Sequence, residues 1–235
     1  LDCLVLIPTY NEAENVEAIT RAVLGQGERF GVLIIDDNSP DGTGRLADEL
    51  ARVEARVRVL HRPAKQGLGP AYLQALGQVL EEGGVEYVAT MDADFSHNPA
   101  DLPRLLAPAE AGADWVIGSR YCPGGGVRNW GLGRRLISRL GGGYARILLG
   151  LGAADPTAGF NLIRLKALAR LDLAAIRSNG YGYQIEFKHR AQRAGLKLEE
   201  VPIIFTDRRV GQSKMSLGIA LEAFGLVLRL ALGGR

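Results

Sequence analysis

Histidine, cysteine and methionine are thin in this sequence of 235 residues, at three, two and two. His61, His97 and His189 stand far apart, and with Cys3 and Cys122 they make neither a metal-ligand spacing nor a Cys–His or Ser–His–Asp nucleophile set. Two such cysteines are also a poor disulfide framework, which points to a reducing, cytoplasmic setting. No uninterrupted apolar run reaches the ~20 residues that a bilayer span needs, and nothing reads as a signal peptide. The P-loop pattern is missing and no Gly-x-Gly-x-x-Gly follows the first apolar run, so neither a P-loop NTPase nor a dinucleotide enzyme is supported. Aromatic residues are 6% of the chain, too sparse near its basic stretch to offer stacking platforms for nucleic acid. What is present is the composition of a folded soluble protein, with 47% hydrophobic and 23% charged residues and a net charge of +2.

The central stretch is Tyr87-Val88-Ala89-Thr90-Met91-Asp92-Ala93-Asp94-Phe95-Ser96-His97-Asn98-Pro99. It reads as a short buried strand that runs into two carboxylates one residue apart and then a turn. Strand alternation sends Asp92 and Asp94 to the same side. Two carboxylates there repel each other unless a cation sits between them, and hard ions such as Mg2+ or Mn2+ take oxygen ligands. The plainer alternative is a solvated acidic turn.

Around this stretch, strands and helices alternate. Leu4–Ile7 and Val32–Ile35 are continuous apolar runs, as in strands buried on both faces, and Val57–Leu60 and Trp115–Gly118 read as further strands. Helical spacing follows the first three, at Val16, Ile19 and Val23, at Leu46 and Leu50, and at Tyr72, Leu76 and Leu80, while Leu102, Leu105 and Leu106 mark the helix after the aspartates. Asn11 with Glu14 three residues on reads as a capping box for the first helix. The pattern predicts an α/β domain with a mostly parallel central sheet, in which ligands bind outside the carboxyl ends of strands. Thr9-Tyr10-Asn11-Glu12, Asp36-Asp37 and Asp92-Ala93-Asp94 all fall on that rim.

Beyond residue 120 the rhythm loosens. No acidic residue occurs between Asp114 and Asp155, while Arg120, Arg128, Arg134, Arg135, Arg139 and Arg146 do, inside a glycine-rich passage and a helix over Leu136–Leu149. That is a locally strong positive field, fit either for a solvated face or for close approach to phosphate. Glu186, near the start of a later helix, reads equally as an arginine partner or a ligand to a sugar hydroxyl. Val201–Phe205 reads as one strand whose Pro202 places it at an edge or at a strand start. Leu217–Leu232 forms an amphipathic helix, either docked on the domain or lying in a membrane interface.

Pro8-Thr9-Tyr10-Asn11-Glu12, Asp36-Asp37-Asn38-Ser39-Pro40-Asp41-Gly42-Thr43, Asp92-Ala93-Asp94, Gly118-Ser119-Arg120-Tyr121 and Asp207-Arg208…Gly211-Gln212-Ser213-Lys214 together resemble family 2 glycosyltransferases of the GT-A fold. More narrowly, they resemble the dolichol-phosphate and polyprenol-phosphate mannosyltransferases, with Arg128-Asn129-Trp130 and Glu200-Val201-Pro202-Ile203 adding to the match. The resemblance covers nearly the whole chain. It implies a catalytic domain over residues 1–215 followed by the amphipathic segment 216–235. It implies inverting transfer of mannose from GDP-mannose to a dolichyl or other polyprenyl phosphate at the cytoplasmic face of the membrane, helped by a membrane-anchoring partner or fused membrane domain.

Carried over by position, Pro8, Tyr10, Glu12, Ile35 and Asp37 hold the guanosine, and Asp92 and Ala93 lie by the ribose and diphosphate. Asp94 is the metal ligand, and Ser96 stands where some relatives have a glutamine ligand, so it coordinates weakly or through water. Arg120, Arg208 and Lys214 meet donor phosphates, with Asp94, Arg208 and Lys214 the catalytic group. Arg120, Arg134, Arg135 and Arg139 receive the acceptor phosphate. No nucleic-acid partner is expected. The alternatives are glucosyl transfer from UDP-glucose to the same lipid and, in another class, a non-catalytic module that docks on anionic membranes.

Overall fold

A computed structural model describes residues 1–207 and 217–233, with side chains at 181 and 217–223 excepted. Its core is a seven-stranded sheet in the order β3-β2-β1-β4-β7-β5-β8. These strands are β1 (Cys3–Thr9), β2 (Phe30–Asp36), β3 (Val57–His61), β4 (Tyr87–Thr90), β5 (Trp115–Ser119), β7 (Asn161–Arg164) and β8 (Leu198–Pro202). All pair in parallel except β7, which runs antiparallel between β4 and β5. A small second sheet pairs β6 (Gly126–Arg128) with β9 (Ile204–Thr206).

Alternation along β1 explains the layering. Cys3, Val5 and Ile7 face one side, where α1 (Val16–Leu24), α2 (Thr43–Val53) and α4 (Leu102–Glu110) pack through residues such as Ile19, Ala47 and Leu105. Leu4 and Leu6 face the other, against α3 (Leu68–Glu82) and α7 (Gly180–Arg193) through Tyr72, Leu76, Tyr183 and Phe187. Both faces are covered, which is why these strands read as unbroken apolar runs. A short α6 (Leu165–Leu168) follows β7. Outside these layers, α5 (Leu132–Leu149) and α8 (Leu217–Leu232) pack on each other and on α7 through Ala145, Leu149, Ile185 and Val227. Among the described residues, no helix is long and apolar enough to cross a membrane.

Two local expectations are corrected. The first helix starts at Val16 with Asn15 at its N-cap position, and Asn11 instead takes a left-handed conformation, φ 60°. The backbone amides of Asn11, Glu12 and Ala13 are satisfied from outside, by Ser39, Thr43 and Asp41 of the loop after β2. A cap at Asn11 is therefore unnecessary. The stretch read as one strand over Val201–Phe205 is two, β8 and β9, which break at Ile203 and join different sheets. Pro202 does end an edge strand, and its carbonyl accepts from Arg104 at 2.9 Å.

Candidate active site

Strands β2, β1 and β4 are neighbours, so their carboxyl ends bring three polar segments to one rim. On the first, Pro8 and Tyr10 are partly buried and Lys65 lies 3.8 Å from the centre of the Tyr10 ring. Glu12 Oε2 accepts from Asn15 at 2.8 Å. On the second, the two adjacent aspartates have different tasks. Asp36 is tied down by the hydroxyls of Thr9 and Ser39 at 3.2 and 2.6 Å. Gly44 packs so close that a Cβ there would stand 2.8 Å from the Asp36 carboxylate. Asp37 is buried against the guanidinium of Arg62, which also donates to Gln74 at 2.9 Å and Gln66 at 3.1 Å. Ile35 and Ala93, both expected near the nucleotide, send their side chains into the core, so only their backbone can face the rim.

On the third segment, the alternation expected at Asp92-Ala93-Asp94 is present, with the alanine buried and both aspartates partly exposed. Asp94 Oδ1 accepts from the Ser96 hydroxyl at 2.5 Å and the Ser96 amide at 3.0 Å. Ser96 is only 2% exposed. Its hydroxyl orients Asp94 from below. The turn closes through Phe95 at φ 59°. His97 Nδ1 accepts from the Asp92 amide at 3.2 Å, which puts the ring proton on Nε2. Burial pushes this imidazole below its ordinary pKa, in keeping with a neutral ring that props up the turn.

Rings connect this turn to the arginines. His97 stacks on Phe160 at 5.1 Å and meets the edge of Phe205 at 5.3 Å, and Phe205 meets Trp130 at 5.4 Å. Arg120 lies 5.6 Å from the Phe205 ring, 5.7 Å from Trp130 and 5.3 Å from Tyr121. Arg134 covers the Trp130 ring at 4.1 Å and Arg139 lies 5.7 Å from Tyr121. Three of the four arginines expected at an acceptor phosphate therefore share one aromatic bed. The fourth, Arg135, turns to the Val127 carbonyl at 3.0 Å. Arg120 is buried and held by Asp155 through Nε and Nη2 at 2.7 Å each, with Thr157 on Nη2 at 2.7 Å. Burial alone would raise the Asp155 carboxyl, but Arg120 beside it holds it below the usual carboxylate range. Gly125 is required here, because a Cβ would stand 2.5 Å from the Ser119 carbonyl oxygen. Arg134 donates to both oxygens of Asp207 at 2.9 Å. Arg208 and Lys214 lie outside the described residues.

Among the described residues, no group of three or more His, Cys, Asp or Glu could hold a metal ion. Asp92 and Asp94 nonetheless fit a hard cation that takes its other oxygens from water and a diphosphate, the usual habit of Mg2+. Glu186, left open above, is an arginine partner. It accepts from Arg190 Nε at 2.9 Å and from the amides of Arg177 and Ser178 at 3.2 and 3.0 Å. A cavity of about 540 Å3, lined among others by Phe95, Asn98, Arg128 and Asp207, opens beside the Asp94 turn. Sequence reasoning missed the supports: Arg62, His97, Asp155 and Thr157. The one signal available was Asp155-Pro156-Thr157 closing the acid-free stretch, an anion where the basic run ends.

Residues 4–172 match the family described as glycosyl transferase family 2. The chain is 47% identical over 233 residues to polyprenol monophosphomannose synthase of Mycolicibacterium smegmatis, covering 99% of this chain and 88% of that protein. It is 46% identical to undecaprenyl-phosphate mannosyltransferase of Micrococcus luteus, covering 99% and 95%. Among solved structures, glucosyl-3-phosphoglycerate synthase from Mycobacterium tuberculosis superposes in two complexes. The complex with Mn2+, uridine diphosphate and glucosyl-3-phosphoglycerate gives a TM-score of 0.68 at 20% identity, over 99% of this chain and 80% of that one. The complex with Mg2+ and uridine diphosphate gives 0.67 at 18%, over 99% and 79%. At such identity the likeness shows a shared GT-A-like fold.

Proposed function

The chain belongs to glycosyl transferase family 2, and on that premise we propose that it transfers mannose from GDP-mannose to the phosphate of a polyprenol, with inversion at the anomeric carbon. The observation that carries this reading is the ring path from His97 through Phe205 to Trp130, which sets the Asp92–Asp94 turn beside Arg120 and Arg134. The names of the two relatives nearly half identical to this chain support mannose and a polyprenyl phosphate. The guanine base is assigned to the Pro8, Tyr10, Glu12 and Asp37 segment.

A phosphate monoester has a second pKa of about 6, so the acceptor is already an anion near neutral pH and needs no general base. Its oxygen forms the new bond to the sugar carbon as the bond to the diphosphate breaks and GDP departs. Asp94 would hold a divalent cation, with Asp92 beside it. Such an ion supplies charge stabilisation at the departing diphosphate. What the chain itself does is orient. Ser96 and His97 fix the aspartate turn, and Asp155 fixes Arg120. Arg134 and Arg139 present positive charge to the lipid phosphate.

Helix α5 supports a membrane partner for this reaction. Leu132, Leu136, Ile137, Leu140 and Ile147 are all more than half exposed on it, interleaved with the exposed Arg139 and Arg146. An apolar face edged with arginine suits the interface of an anionic leaflet, and we place the protein at the cytoplasmic face of a membrane. The donor assignment is tested by titration calorimetry with GDP-mannose and UDP-glucose, each with and without Mg2+ or Mn2+. Metal-dependent binding of GDP-mannose in preference to UDP-glucose is expected. Preference for UDP-glucose would move the substrate, and no binding of either would favour a docking module.

A further inference from the structure

Lys188 carries an ammonium group into the interior, a costly placement that packing alone does not require. Its side chain is fully buried on α7. Nζ donates to the Ala158 carbonyl at 2.7 Å and to Gln184 Oε1 at 3.0 Å. Both acceptors belong to one network. Ala158 sits in the turn whose Asp155 and Thr157 grip Arg120. Gln184 Oε1 also accepts from Asn161, whose amide reaches the Thr90 hydroxyl at 3.1 Å, and that hydroxyl donates to the Gly159 carbonyl at 2.7 Å. Thr90 ends β4, the strand that runs on to Asp92 and Asp94. One buried cation thus ties the turn behind Arg120 to the strand behind the aspartates.

The charges facing Lys188 are Asp155 from that turn, Arg120 from the end of β5, and Glu200 from β8. Glu200 is engaged by the amides of Ala154 and Asp155 at 2.8 and 3.1 Å, so it braces the same turn from the opposite side. Asp155 makes its ion pair with Arg120 and attracts the Lys188 ammonium only through space. With Lys188 protonated, Arg120, Lys188, Asp155 and Glu200 sum to zero, and with it neutral they leave a net negative charge.

We propose that Lys188 is a positioning residue of the transfer reaction: it holds Arg120 in register with the Asp92–Asp94 turn and, by offsetting the carboxylates of Asp155 and Glu200, leaves the Arg120 charge available to an anionic acceptor. This rests on the polyprenyl-phosphate reading of the site. Two dependences on pH follow, with opposite signs. Burial pushes the Lys188 ammonium down to about 7. Above that pH the acceptor is fully ionised, its second pKa being about 6, while Lys188 loses its proton, so the acceptor KM rises. Stability moves the other way. An unfolded lysine titrates at about 10.4, so between the two pKa values the unfolded chain binds more protons and folding strengthens as pH increases.

The test compares wild type with Lys188→Met in steady-state transfer from GDP-mannose to undecaprenyl phosphate between about pH 6.5 and 8.5, with melting temperatures at each pH. The wild-type acceptor KM should rise severalfold across that range while Tm increases. Lys188→Met should show an acceptor KM about tenfold higher at the acid end, the size of a lost charged contact. Its acceptor KM should be flat with pH, its donor KM within about twofold of wild type, and its Tm independent of pH over the same range. A wild-type acceptor KM that does not change with pH overturns the proposal, and so does a variant whose two KM values rise together. If the variant does not fold, the wild-type profile decides alone. Absence of any lipid-linked mannose from wild type defeats the functional reading and this inference with it. Transfer that is indifferent to Lys188 defeats the inference only.

Discussion

Ser96 donates to Asp94 from a position closed to solvent, so the two residues should fail differently. Asp94→Ala should lower kcat/KM by at least about a hundredfold, since a group that stabilises developing charge is worth about 3–4 kcal/mol. Ser96→Ala should lower it about five- to tenfold, the worth of about 1 kcal/mol in one orienting hydrogen bond. Initial rates of transfer check both, and a Ser96→Ala enzyme as inert as Asp94→Ala would make the serine a ligand in its own right. On the rim segment after β2, Arg62 and Asp37 form a pair that is 2% and 8% exposed. Arg62→Leu leaves a buried carboxylate without its cation and should cost about 3–5 kcal/mol of stability in urea unfolding. Asp37 was visible in the sequence as one of a rim pair. Arg62 was not, because it lies 25 residues away and only the parallel pairing of β2 with β3 brings it alongside.

Helix α5 is the element on which the membrane reading depends. Leu136 and Leu140 are 59% and 64% exposed one turn apart, and each forfeits about 1–2 kcal/mol of apolar burial while it faces water. Leu136→Asp with Leu140→Asp should weaken binding to anionic vesicles at least about tenfold in co-sedimentation. Unchanged sedimentation would remove α5 from the membrane contact. The same helix carries Gly141-Gly142-Gly143, and a Cβ at Gly141 or Gly143 would meet nothing within 4 Å. Gly141→Ala with Gly143→Ala should therefore stabilise the fold by about 1–2 kcal/mol, read as a higher Tm, because helical glycine costs about 0.5–1 kcal/mol against alanine. Helices α1 and α4 were legible because their periodic apolar spacing matches buried stripes, whereas α5 begins at Leu132, one turn before the expected Leu136, and leaves its spaced leucines exposed. The antiparallel β7 and the split at Ile203 were not, because strand direction and partner are settled by pairing between distant segments. The cap misread at Asn11 has the same origin, with its hydrogen-bond partners lying about 28 residues on.

At the scale of the molecule, the order β3-β2-β1-β4-β7-β5-β8 sets the Asp36–Asp37, Tyr10 and Asp94 segments on adjacent strand ends, while Arg120 just after β5 and helix α5 between β5 and β7 carry the arginine cluster. The rim segments were readable because they are short motifs, local in sequence. The groups that hold them, Asp155 against Arg120 and Lys188 against the Ala158 carbonyl, were not, because buried polar partners reveal themselves only once the chain has closed on itself. The account joins these parts into one reaction, and it is tested most directly by incubating wild type and Asp94→Ala with radiolabelled GDP-mannose, undecaprenyl phosphate in vesicles and Mg2+, and counting label in the organic phase. Label from wild type that is lost with a chelator and lost in Asp94→Ala is the predicted result. Equal label from the variant, or label that enters the lipid from UDP-glucose and not from GDP-mannose, would contradict it.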